Sequence, residues 1–357
     1  MSKFKFIKRN DTRKDSIDWS KLGFGQYFAD YMYVSNYKDG SWEEGEIVPY
    51  GTFEIEPSMM TLHYSQTIFE GLKAYNNVGG GANIFRPDMN AKRLNHSAEL
   101  LVIPEFPEER FIEAVKEVVY YNREFISKNE GESLYIRPVI FGSSNILGVH
   151  PSKEYKLIIF ASPVGSYYDE GLNPVKIKVA DRYVRAVRGG LGTAKTGANY
   201  AASLKGANEA KKEGYSQVLW LDGVSLTFVD EVGSMNIMFV LDGEIVTPSL
   251  ESGTILPGIT RDSVLKIAKH LGIKTCERTV SIEEILSGLA TGKLSEAFGT
   301  GTAATISPVG ILNYKNTDHA INHSEIGPIS QKMYDTLMGI QYGKIEDPFG
   351  WIIHIDL

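Results

Sequence analysis

The segment GGLGTAKTGANY, residues 189–200, holds the side chains whose types and spacing are best suited to chemistry. Glycines ahead of the Lys195–Thr196 pair are typical of a loop that binds nucleotide phosphates. Such a loop needs a second glycine directly before its lysine, and this chain has Ala194 there. A nucleotide-binding protein that uses Gly189–Thr196 is therefore only a remote alternative. A surface lysine in a flexible loop is the ordinary outcome for a segment of this kind.

A second signal for a nucleotide site is Asp222, an acid that ends the apolar run VLWL and could hold magnesium. Gly223 follows it, however, and an Asp-Gly pair between apolar runs is typical of a hairpin turn. Asp242 and Gly243 repeat the pattern. Nucleotide-binding loops lie in parallel sheets whose strands are joined by helices, so two hairpins in succession predict antiparallel neighbours and disfavour that interpretation.

A third interpretation is that Lys195 attacks a carbonyl with its own nitrogen. A lysine of this kind must spend time neutral, so its site is buried or positively charged. The small residues Ala194, Gly197 and Ala198 would let a flat ring approach the backbone. If the ring is pyridoxal phosphate, the site also needs a carboxylate at the pyridine nitrogen and a hydroxyl at the ring oxygen. Backbone N–H groups and an arginine would bind the phosphate.

The rest of the sequence supplies each of these parts. Tyr200 offers a hydroxyl five residues after the lysine. Glu231 lies in an apolar run, where an unpaired carboxylate is costly, although the rim of a turn is an equally good interpretation for it. Ile259 and Thr260 begin a predicted helix whose N–H groups could bind an anion, although every helix needs a cap. The segment FGTGTAATIS is a further turn rich in N–H groups.

Length and composition exclude several classes of protein. The chain has 357 residues, and at about 150 residues per domain two domains are expected. The net charge of −7 gives no basic surface for nucleic acid. The sequence contains no apolar run of about 18 residues and no secretory signal, so we expect no membrane segment. The single cysteine, Cys276, excludes an internal disulfide and indicates a reducing compartment, the cytoplasm.

The elements that must position these residues are a mixture of helices and strands. Hydrophobic periodicity and capping signals predict helices over 88–101, 108–129, 199–214, 260–272 and 281–290. The first of these follows two stretches, 50–62 and 64–76, that we predict to be extended. Residues rich in β-branched and aromatic side chains predict strands over 133–142 and 155–165.

A polar segment with glycine and proline, VGSYYDEGLNP, lies between two predicted strands and is typical of a domain linker. We therefore predict a first domain over 1–165, an interdomain loop over 166–174 and a second domain over 175–357, which carries Lys195.

Five blocks of the sequence resemble, in this order, segments of the branched-chain amino acid aminotransferases: GGLGTAKTGANY, VLWLDG, DEVGSMNI, ILPGITRDSV and FGTGTAA. Blocks such as LGFGQYFADYM, LHYSQTIFEGLKAY and GIQYGKIEDPFGW extend the resemblance nearly from end to end. This family belongs to the fold-type IV pyridoxal-phosphate enzymes. The resemblance implies an α/β fold with a smaller N-terminal α/β domain and a larger C-terminal domain whose sheet is curved and mainly antiparallel.

The resemblance also implies a role for each matching residue. Lys195 would form the Schiff base with pyridoxal 5'-phosphate and carry the proton between substrate and cofactor. Glu231 would pair with the pyridine nitrogen and Tyr200 with the ring oxygen. Arg86, which by itself would pass as a surface arginine, would bind the phosphate together with Ile259, Thr260 and Thr302. The substrate pocket would be lined by Phe24, Tyr64, Phe69, Tyr135, Arg137, Tyr167, Ser234 and Ala303.

The implied reaction is a ping-pong transamination between leucine, isoleucine or valine and 2-oxoglutarate. The family is a homodimer, and by this match Leu147 and Val149 would reach the substrate site of the neighbouring subunit. An apolar wall of aromatic residues with one polar exit, formed by Arg137 and the tyrosines, would accept both branched side chains and the glutamate carboxylate. Alternatives of the same fold class are a D-amino acid transaminase and an aminodeoxychorismate lyase, and a chain that binds the cofactor without catalysis is another.

Other patterns carry less weight. Vertebrate members of the family have a Cys-x-x-Cys pair where this chain has Ala304 and Ser307, which excludes a thiol switch there. His319 and His323 have the spacing of a zinc helix, but Ala320 stands where an acid is needed, so we expect no metal. Ser263-x-x-Lys266 fits a nucleophile pattern, but we expect it to be solvated helix surface.

Overall fold

The computed structural model describes residues 3–165 and 172–357. Within these residues the chain divides into two compact units. The first unit comprises residues 3–165, Ala194–Gly197 and Gly339–Leu357, and the second comprises residues 172–193 and Ala198–Met338. The predicted second domain, 175–357, includes Ala194–Gly197 and Gly339–Leu357. In the structure both segments group with the first unit. The predicted linker over 166–174 lies mostly outside the described residues and stays a prediction.

Short strands predominate, as the frequent turn residues of the sequence would suggest. In chain order the strands are β1 (Lys5–Phe6), β2 (Tyr31–Lys38), β3 (Ser41–Trp42), β4 (Glu46–Pro49), β5 (Thr67–Phe69), β6 (Leu72–Asn76), β7 (Ala82–Phe85), β8 (Ser133–Gly142), β9 (Tyr155–Val164), β10 (Val175–Val179), β11 (Gln217–Leu221), β12 (Val229–Val232), β13 (Asn236–Leu241), β14 (Glu244–Pro248), β15 (Thr275–Arg278), β16 (Leu294–Gly301), β17 (Thr305–Tyr314), β18 (Thr317–Ala320) and β19 (Ile352–Ile355). The α-helices are α1 (Met60–Tyr64), α2 (Pro87–Leu100), α3 (Glu108–Tyr121), α4 (Gly197–Lys212), α5 (Ile259–His270), α6 (Ile282–Thr291) and α7 (Pro328–Gln341). Single 3₁₀ turns occur at Lys14–Ser16, Arg123–Phe125, Leu250–Ser252 and Asn322–Ser324.

The first unit is built on one mixed sheet, in the order β1-β4-β2-β9-β8-β6-β7-β19, with β3 beside β2 and β5 beside β8. Its pairs are antiparallel except for β1 with β4. Helix α3 packs on this sheet because Phe111, Val115 and Val118 recur at helical spacing and are fully buried. They share a core with strand residues such as Ile136 and Ile159.

The second unit contains the sheet β12-β11-β10-β17-β16-β13-β14-β15, with β18 beside β17. Five of its strand pairs are antiparallel, and Val232 on the outermost strand β12 makes a bridge to Met235 beside β13, so the sheet curls back on itself. This confirms the predicted curved and mainly antiparallel sheet.

The glycine-rich loop lies between parallel strands, so the prediction that its strands have only antiparallel neighbours is wrong. Strand β10 pairs in parallel with β11, and helix α4 connects the two strands, so the glycine-rich loop does lie within a strand–helix–strand unit. Strands β10 and β17 and strands β14 and β15 are also parallel. The two predicted hairpins form nonetheless. Asp242 and Gly243 have positive φ angles of 50° and 78° in a two-residue turn, whereas Asp222 begins a longer loop and accepts hydrogen bonds from Ser225, Thr227 and Phe228 backbone nitrogens.

The predicted helices occur with small shifts in their ends. Helix α6 begins as its capping signal predicts, because the Ser281 hydroxyl accepts a hydrogen bond from the Glu284 nitrogen (3.1 Å). Helix α3 ends at Tyr121, eight residues before the predicted end. The extended segment predicted over 50–62 is wrong at its end, since Met60–Tyr64 forms one helical turn that Ser65 closes in the left-handed conformation. No helix in the described part of the chain is both long and apolar enough to cross a bilayer.

Candidate active site

Lys195 has its backbone fixed by the first unit. Its N–H donates to the Ser97 hydroxyl (2.9 Å), and its carbonyl accepts a hydrogen bond from the Phe69 nitrogen (3.0 Å). The next residue, Thr196, donates its hydroxyl hydrogen to the Thr67 carbonyl (2.7 Å) and makes a strand-like bridge to Ile68. The lysine N–H is therefore engaged in the protein and does not point at a phosphate, unlike the N–H groups of a nucleotide loop.

The ring of Phe69 is flanked by two cationic groups. The Lys195 Nζ lies 4.8 Å from the ring centroid, and the Arg137 guanidinium carbon lies at the same distance. Arg137 also donates to the Tyr135 hydroxyl (3.2 Å), and Phe24 packs edge-on against the Tyr135 ring at 4.9 Å. The Nε of Arg137 is buried and has no hydrogen-bond partner within the described residues. The first unit thus brings together five predicted site residues with a buried N–H donor that a ligand could use.

The strand that carries Phe69 is anchored by a buried ion pair. Glu70 is fully buried and accepts hydrogen bonds from Arg93 Nε and Nη2, both at 2.8 Å, and from Asn90 Nδ2 at 2.7 Å. Arg93 and Asn90 lie on α2, so this pair holds β5 against that helix. At Gly71, a Cβ atom would lie 2.0 Å from the Tyr135 hydroxyl, so only glycine leaves room for it.

Arg86 is buried rather than on the surface. It precedes α2 with φ 49° and ψ 47°, a left-handed conformation that is rare for a residue with a side chain. The Arg86 guanidinium stacks on the Trp351 ring, with 4.8 Å between the guanidinium carbon and the ring centroid. The backbone N–H of Arg86 donates to the Trp351 carbonyl (2.9 Å). The backbone strain and the stacking fix the direction of this arginine.

Two predicted substrate residues lie on an exposed loop. Leu147 and Val149 are 62% and 90% exposed, and the Tyr64 hydroxyl holds this loop by accepting a hydrogen bond from the Gly148 nitrogen (3.0 Å). Large apolar side chains are usually buried, so both are more exposed than their residue type would predict. Tyr167, the remaining predicted pocket residue of this half, lies outside the described residues.

In the second unit, Glu231 is a buried acid, 3% exposed, and not the rim residue of a turn. It lies on β12. Its Oε1 accepts hydrogen bonds from the Leu256 nitrogen (2.8 Å) and Asn236 Nδ2 (3.3 Å), and its Oε2 lies 2.6 Å from Arg185 Nε. Opposite charge and hydrogen-bond donors both favour the ionised carboxylate. The arrangement suits an acid that must remain an anion while it faces a cationic partner.

The start of α5 is connected to this acid. Asn236, which contacts Glu231, also donates to the Leu256 carbonyl (2.9 Å), two residues before the N-cap Gly258. A Cβ atom at Gly258 would lie 1.9 Å from Asn236 Oδ1, so glycine is required here. As a glycine, the N-cap residue has no side chain with which to cap the helix. Ile259 and Thr260 therefore begin α5 at an N-terminus that carries a partial positive charge and suits an anion.

The other predicted residues of the second unit lie at turns and on α4. Ser234 is an exposed turn residue between β12 and β13, and Thr302 and Ala303 form the turn between β16 and β17. These two turns are neighbours, because a Cβ atom at Gly299 or Gly301 would meet the Met235 side chain. Tyr200 lies in the first turn of α4.

Several residues of this site carried no signal in the sequence. Arg185 lies 46 residues from Glu231, and Trp351 lies 265 residues from Arg86, so no short motif could reveal either partner. Ser97 lies in the predicted helix over 88–101, and Asn236 lies in the block DEVGSMNI. Their contacts with Lys195 and Glu231 depend on the folded chain.

The weaker candidates of the sequence are the pair His319 and His323 and the serine at position 263. In the ranges 3–165 and 172–357, no three or more His, Cys, Asp or Glu residues come together as a metal site. Ser263 is fully buried, so the expectation of a solvated surface was wrong. Its hydroxyl donates to the Ile259 carbonyl (2.8 Å), which satisfies the hydroxyl within the helix and lets this face be buried, while Lys266 pairs with Asp262 outside.

The chain resembles known proteins over most of its length. Residues 67–311 match the family model described as amino-transferase class IV. A probable branched-chain-amino-acid aminotransferase from Staphylococcus epidermidis strain RP62A is 52% identical over 355 residues, which cover 99% of this chain and 98% of that protein. The branched-chain-amino-acid aminotransferase 2 of Bacillus subtilis strain 168 is 48% identical over 350 residues, which cover 98% of this chain and 96% of the relative.

Among solved structures, the T.th. branched-chain amino acid aminotransferase in complex with N-(5'-phosphopyridoxyl)-L-glutamate is similar in fold. Its TM-score is 0.75 at 28% identity, covering 91% of this chain and 98% of the other. The predicted fold class, fold-type IV, is confirmed. With two curated relatives near 50% identity over almost the whole sequence, the chain belongs to the class IV amino-transferases and, within them, to the branched-chain-amino-acid aminotransferase family.

Proposed function

We propose that this protein transfers the amino group of leucine, isoleucine or valine to 2-oxoglutarate, with pyridoxal 5'-phosphate as its cofactor. The two half-reactions alternate in a ping-pong order. The observation that carries this proposal is the buried Glu231 carboxylate, which is held by an arginine and two hydrogen-bond donors. The complex of the T.th. relative with a phosphopyridoxyl-glutamate supports both the cofactor and the glutamate product.

The residues of this chain fit the cofactor. A protonated pyridine nitrogen needs a carboxylate that stays ionised, and Glu231 has the donors to remain so. A phosphate dianion needs N–H groups and a positive charge, which the start of α5 and the Arg86 guanidinium offer. Gly258 leaves the space that brings the α5 start close to Asn236 and thereby to Glu231. When bound, pyridoxal phosphate supplies an electron sink that makes the α-proton of an amino acid acidic.

The chain's own residues would perform the remaining tasks. Lys195 would hold the cofactor through its Nζ at the aldehyde carbon, C4′. With that carbon occupied by a substrate amine, the free Nζ would take the substrate's α-proton and deliver it to C4′. Fixing the lysine backbone through Ser97 and Phe69 limits the region that this nitrogen can reach. Tyr200 would donate to the ring oxygen, and Arg86 with Ile259, Thr260 and Thr302 would hold the phosphate.

Substrate selection would depend on the aromatic residues of the first unit. Phe24, Phe69 and Tyr135 offer apolar surface to a branched side chain, while Arg137 offers its unused Nε to the distal carboxylate of glutamate. Apolar contacts discriminate by only about 1–3 kcal/mol per methylene, so related amino acids should be slow substrates. Tyr64, Tyr167, Ser234 and Ala303 complete the proposed pocket.

The proposal includes a homodimer in which each active site uses Leu147 and Val149 of its neighbour. It is supported by the exposure of these two side chains and of Leu62 and Ile146. Leu62 lies on α1, which the Tyr64–Gly148 hydrogen bond joins to this loop, and exposed apolar groups of this kind mark interfaces. Sedimentation should give a dimer for the wild type. Mixing Lys195→Ala subunits with Val149→Asp subunits should restore activity, because one site of the mixed dimer has both residues intact. Failure to restore activity in a proven mixed dimer would contradict the shared site.

Half-reaction spectroscopy with L- and D-amino acids tests the proposed function. We expect L-leucine, L-isoleucine, L-valine and L-glutamate to shift the cofactor spectrum and their D-enantiomers to leave it unchanged. A response to D-alanine would favour the D-amino acid transaminase, and release of pyruvate from aminodeoxychorismate would favour the lyase. A cytoplasmic location and a domain boundary within 166–174 remain part of the proposal, and cell fractionation and limited proteolysis would test them.

A further inference from the structure

Arg185 occupies the centre of the hydrogen-bond network around Glu231. It is 9% exposed and lies in the segment between β10 and the glycine-rich loop. Its Nε lies 2.6 Å from Glu231 Oε2, and its Nη2 donates to the carbonyl oxygens of Gly192 (3.1 Å) and Thr254 (2.9 Å). One guanidinium therefore joins the glycine-rich loop to two segments that are distant in sequence.

Each of the three segments belongs to the proposed cofactor site. Glu231 is the proposed partner of the pyridine nitrogen, and Gly192 lies three residues before Lys195. Thr254 begins the stretch that leads through Leu256, whose N–H binds Glu231, to the start of α5. The approach of the first loop to the third segment is close, because a Cβ atom at Gly192 would lie 2.5 Å from the Thr254 carbonyl oxygen.

The charges in this region explain why an arginine is needed. Glu231 and Asp230 are adjacent buried acids, and burial raises the pKa of Asp230 to about 6 even though Arg185 acts to lower it. Asp230 accepts a hydrogen bond from the Thr254 hydroxyl (2.9 Å), so both acids are connected to the segment that Arg185 holds. Without a counter-charge, a second buried carboxylate would tend to take up a proton.

We propose that Arg185 is a positioning residue that acts through Glu231, keeping this carboxylate ionised and directed at the ring nitrogen of the cofactor. The inference rests on the function proposed above. Arg185 itself touches neither substrate nor cofactor in this account. Its effect should therefore depend on Glu231 being present, which a purely structural role would not require.

The test is a double-mutant cycle with Arg185→Gln, Glu231→Gln and the double variant, with Arg185→Lys as the conservative change. The readouts are retention of pyridoxal phosphate by each protein on gel filtration and the pH dependence of the bound cofactor's visible absorbance. Thermal unfolding of each apoprotein serves as the measure of structural damage. We expect Arg185→Gln to weaken cofactor retention about tenfold, since Glu231 would lose its charged partner and keep only its two hydrogen-bond donors. Arg185→Lys should fall between wild type and Arg185→Gln.

In the Glu231→Gln background, adding Arg185→Gln should lower retention much less than it does in the wild type, since only the bonds to the Gly192 and Thr254 carbonyls are then lost. It should not change the absorbance profile further. Losses that add in the double variant would overturn the inference, because they would indicate a role independent of Glu231. A wild-type spectrum and retention in Arg185→Gln would also overturn it. A wild-type chain that retains no pyridoxal phosphate would refute the proposed function itself, and this inference with it.

Discussion

Lys195 and Phe69 are joined twice, by a backbone hydrogen bond of 3.0 Å and by the placement of Nζ 4.8 Å from the ring centroid. The same ring carries the Arg137 guanidinium at 4.8 Å. Phe69 therefore positions both the proposed catalytic amine and the proposed ligand of the substrate carboxylate. Each of these tasks depends on a strand, β5, that is itself held by the Glu70–Arg93 pair.

Replacing Phe69 by leucine should lower kcat/KM for leucine about tenfold. The change removes the aromatic face on which the Arg137 guanidinium lies and against which the Lys195 side chain is placed, and cation–π contacts in desolvated places contribute about 1–2 kcal/mol. The matched control is Phe6→Leu. Phe6 lies in β1, and its ring stacks on the Tyr121 ring with 4.1 Å between the centroids. Steady-state kinetics should show the loss of kcat/KM for Phe69→Leu and not for Phe6→Leu. An equal loss of kcat/KM in both variants would contradict a specific role for Phe69.

Replacing Arg137 by glutamine should affect the two oxo acid substrates differently. Hydrogen bonds to charged groups contribute about 1.5–3 kcal/mol, so kcat/KM for 2-oxoglutarate should fall roughly ten- to hundredfold. The branched oxo acid 4-methyl-2-oxopentanoate, which lacks the distal carboxylate, should react nearly as in the wild type. Arg110→Gln is the control, since Arg110 also stacks on an aromatic ring, that of Phe106 at 5.0 Å. Parallel losses for both oxo acids would argue against this assignment.

Replacing Asp230 by asparagine should make stability less dependent on pH. Burial raises the pKa of Asp230 from 3.8 to about 6, so the stability that its proton provides is present below pH 4 and is lost as pH rises through 6. Relative to wild type, Asp230→Asn should therefore gain about 2 kcal/mol of unfolding free energy between pH 4 and 6. Urea denaturation of the apoproteins across this range measures the difference.

Asp222→Asn is the control for this experiment, because the pKa of Asp222 is shifted in the opposite direction to that of Asp230. Backbone and side-chain hydrogen bonds lower the pKa of Asp222 well below its ordinary value, against the opposing effect of burial. Its contribution to stability is present at neutral pH and is lost as pH falls. A stability difference between wild type and Asp230→Asn that stays constant from pH 4 to 6 would contradict the assignment of Asp230.

The sequence predicted the parts of the fold that depend on local signals. The Ser281 cap and the Asp242–Gly243 turn occur as expected, since each is decided by a few adjacent residues. Met60–Tyr64 was missed because one helical turn is too short to give a periodicity. The parallel pairing of β10 with β11 could not be read from the Asp-Gly dipeptides, which describe only the strands on either side of them.

The same distinction holds for the candidate site. Lys195 and Glu231 could be proposed from residue type and setting, and the family resemblance assigned roles to the others. Arg185 was missed because its partners Glu231 and Thr254 lie 46 and 69 residues away, and an arginine followed by Ala186 and Val187 carries no distinctive pattern. Burial, which only the folded chain decides, also separates Arg86 from an ordinary surface arginine.

The most direct test of this account is to reduce the holoenzyme with borohydride and to map the covalently attached cofactor by peptide mass spectrometry. Lys73 is the rival lysine, since it is buried, burial lowers its pKa to about 8, and it pairs with Tyr135 across the sheet. We expect the label on Lys195 in the wild type and in Lys73→Ala, and no label in Lys195→Ala. A label on Lys73, or covalent cofactor that persists in Lys195→Ala, would contradict the central claim.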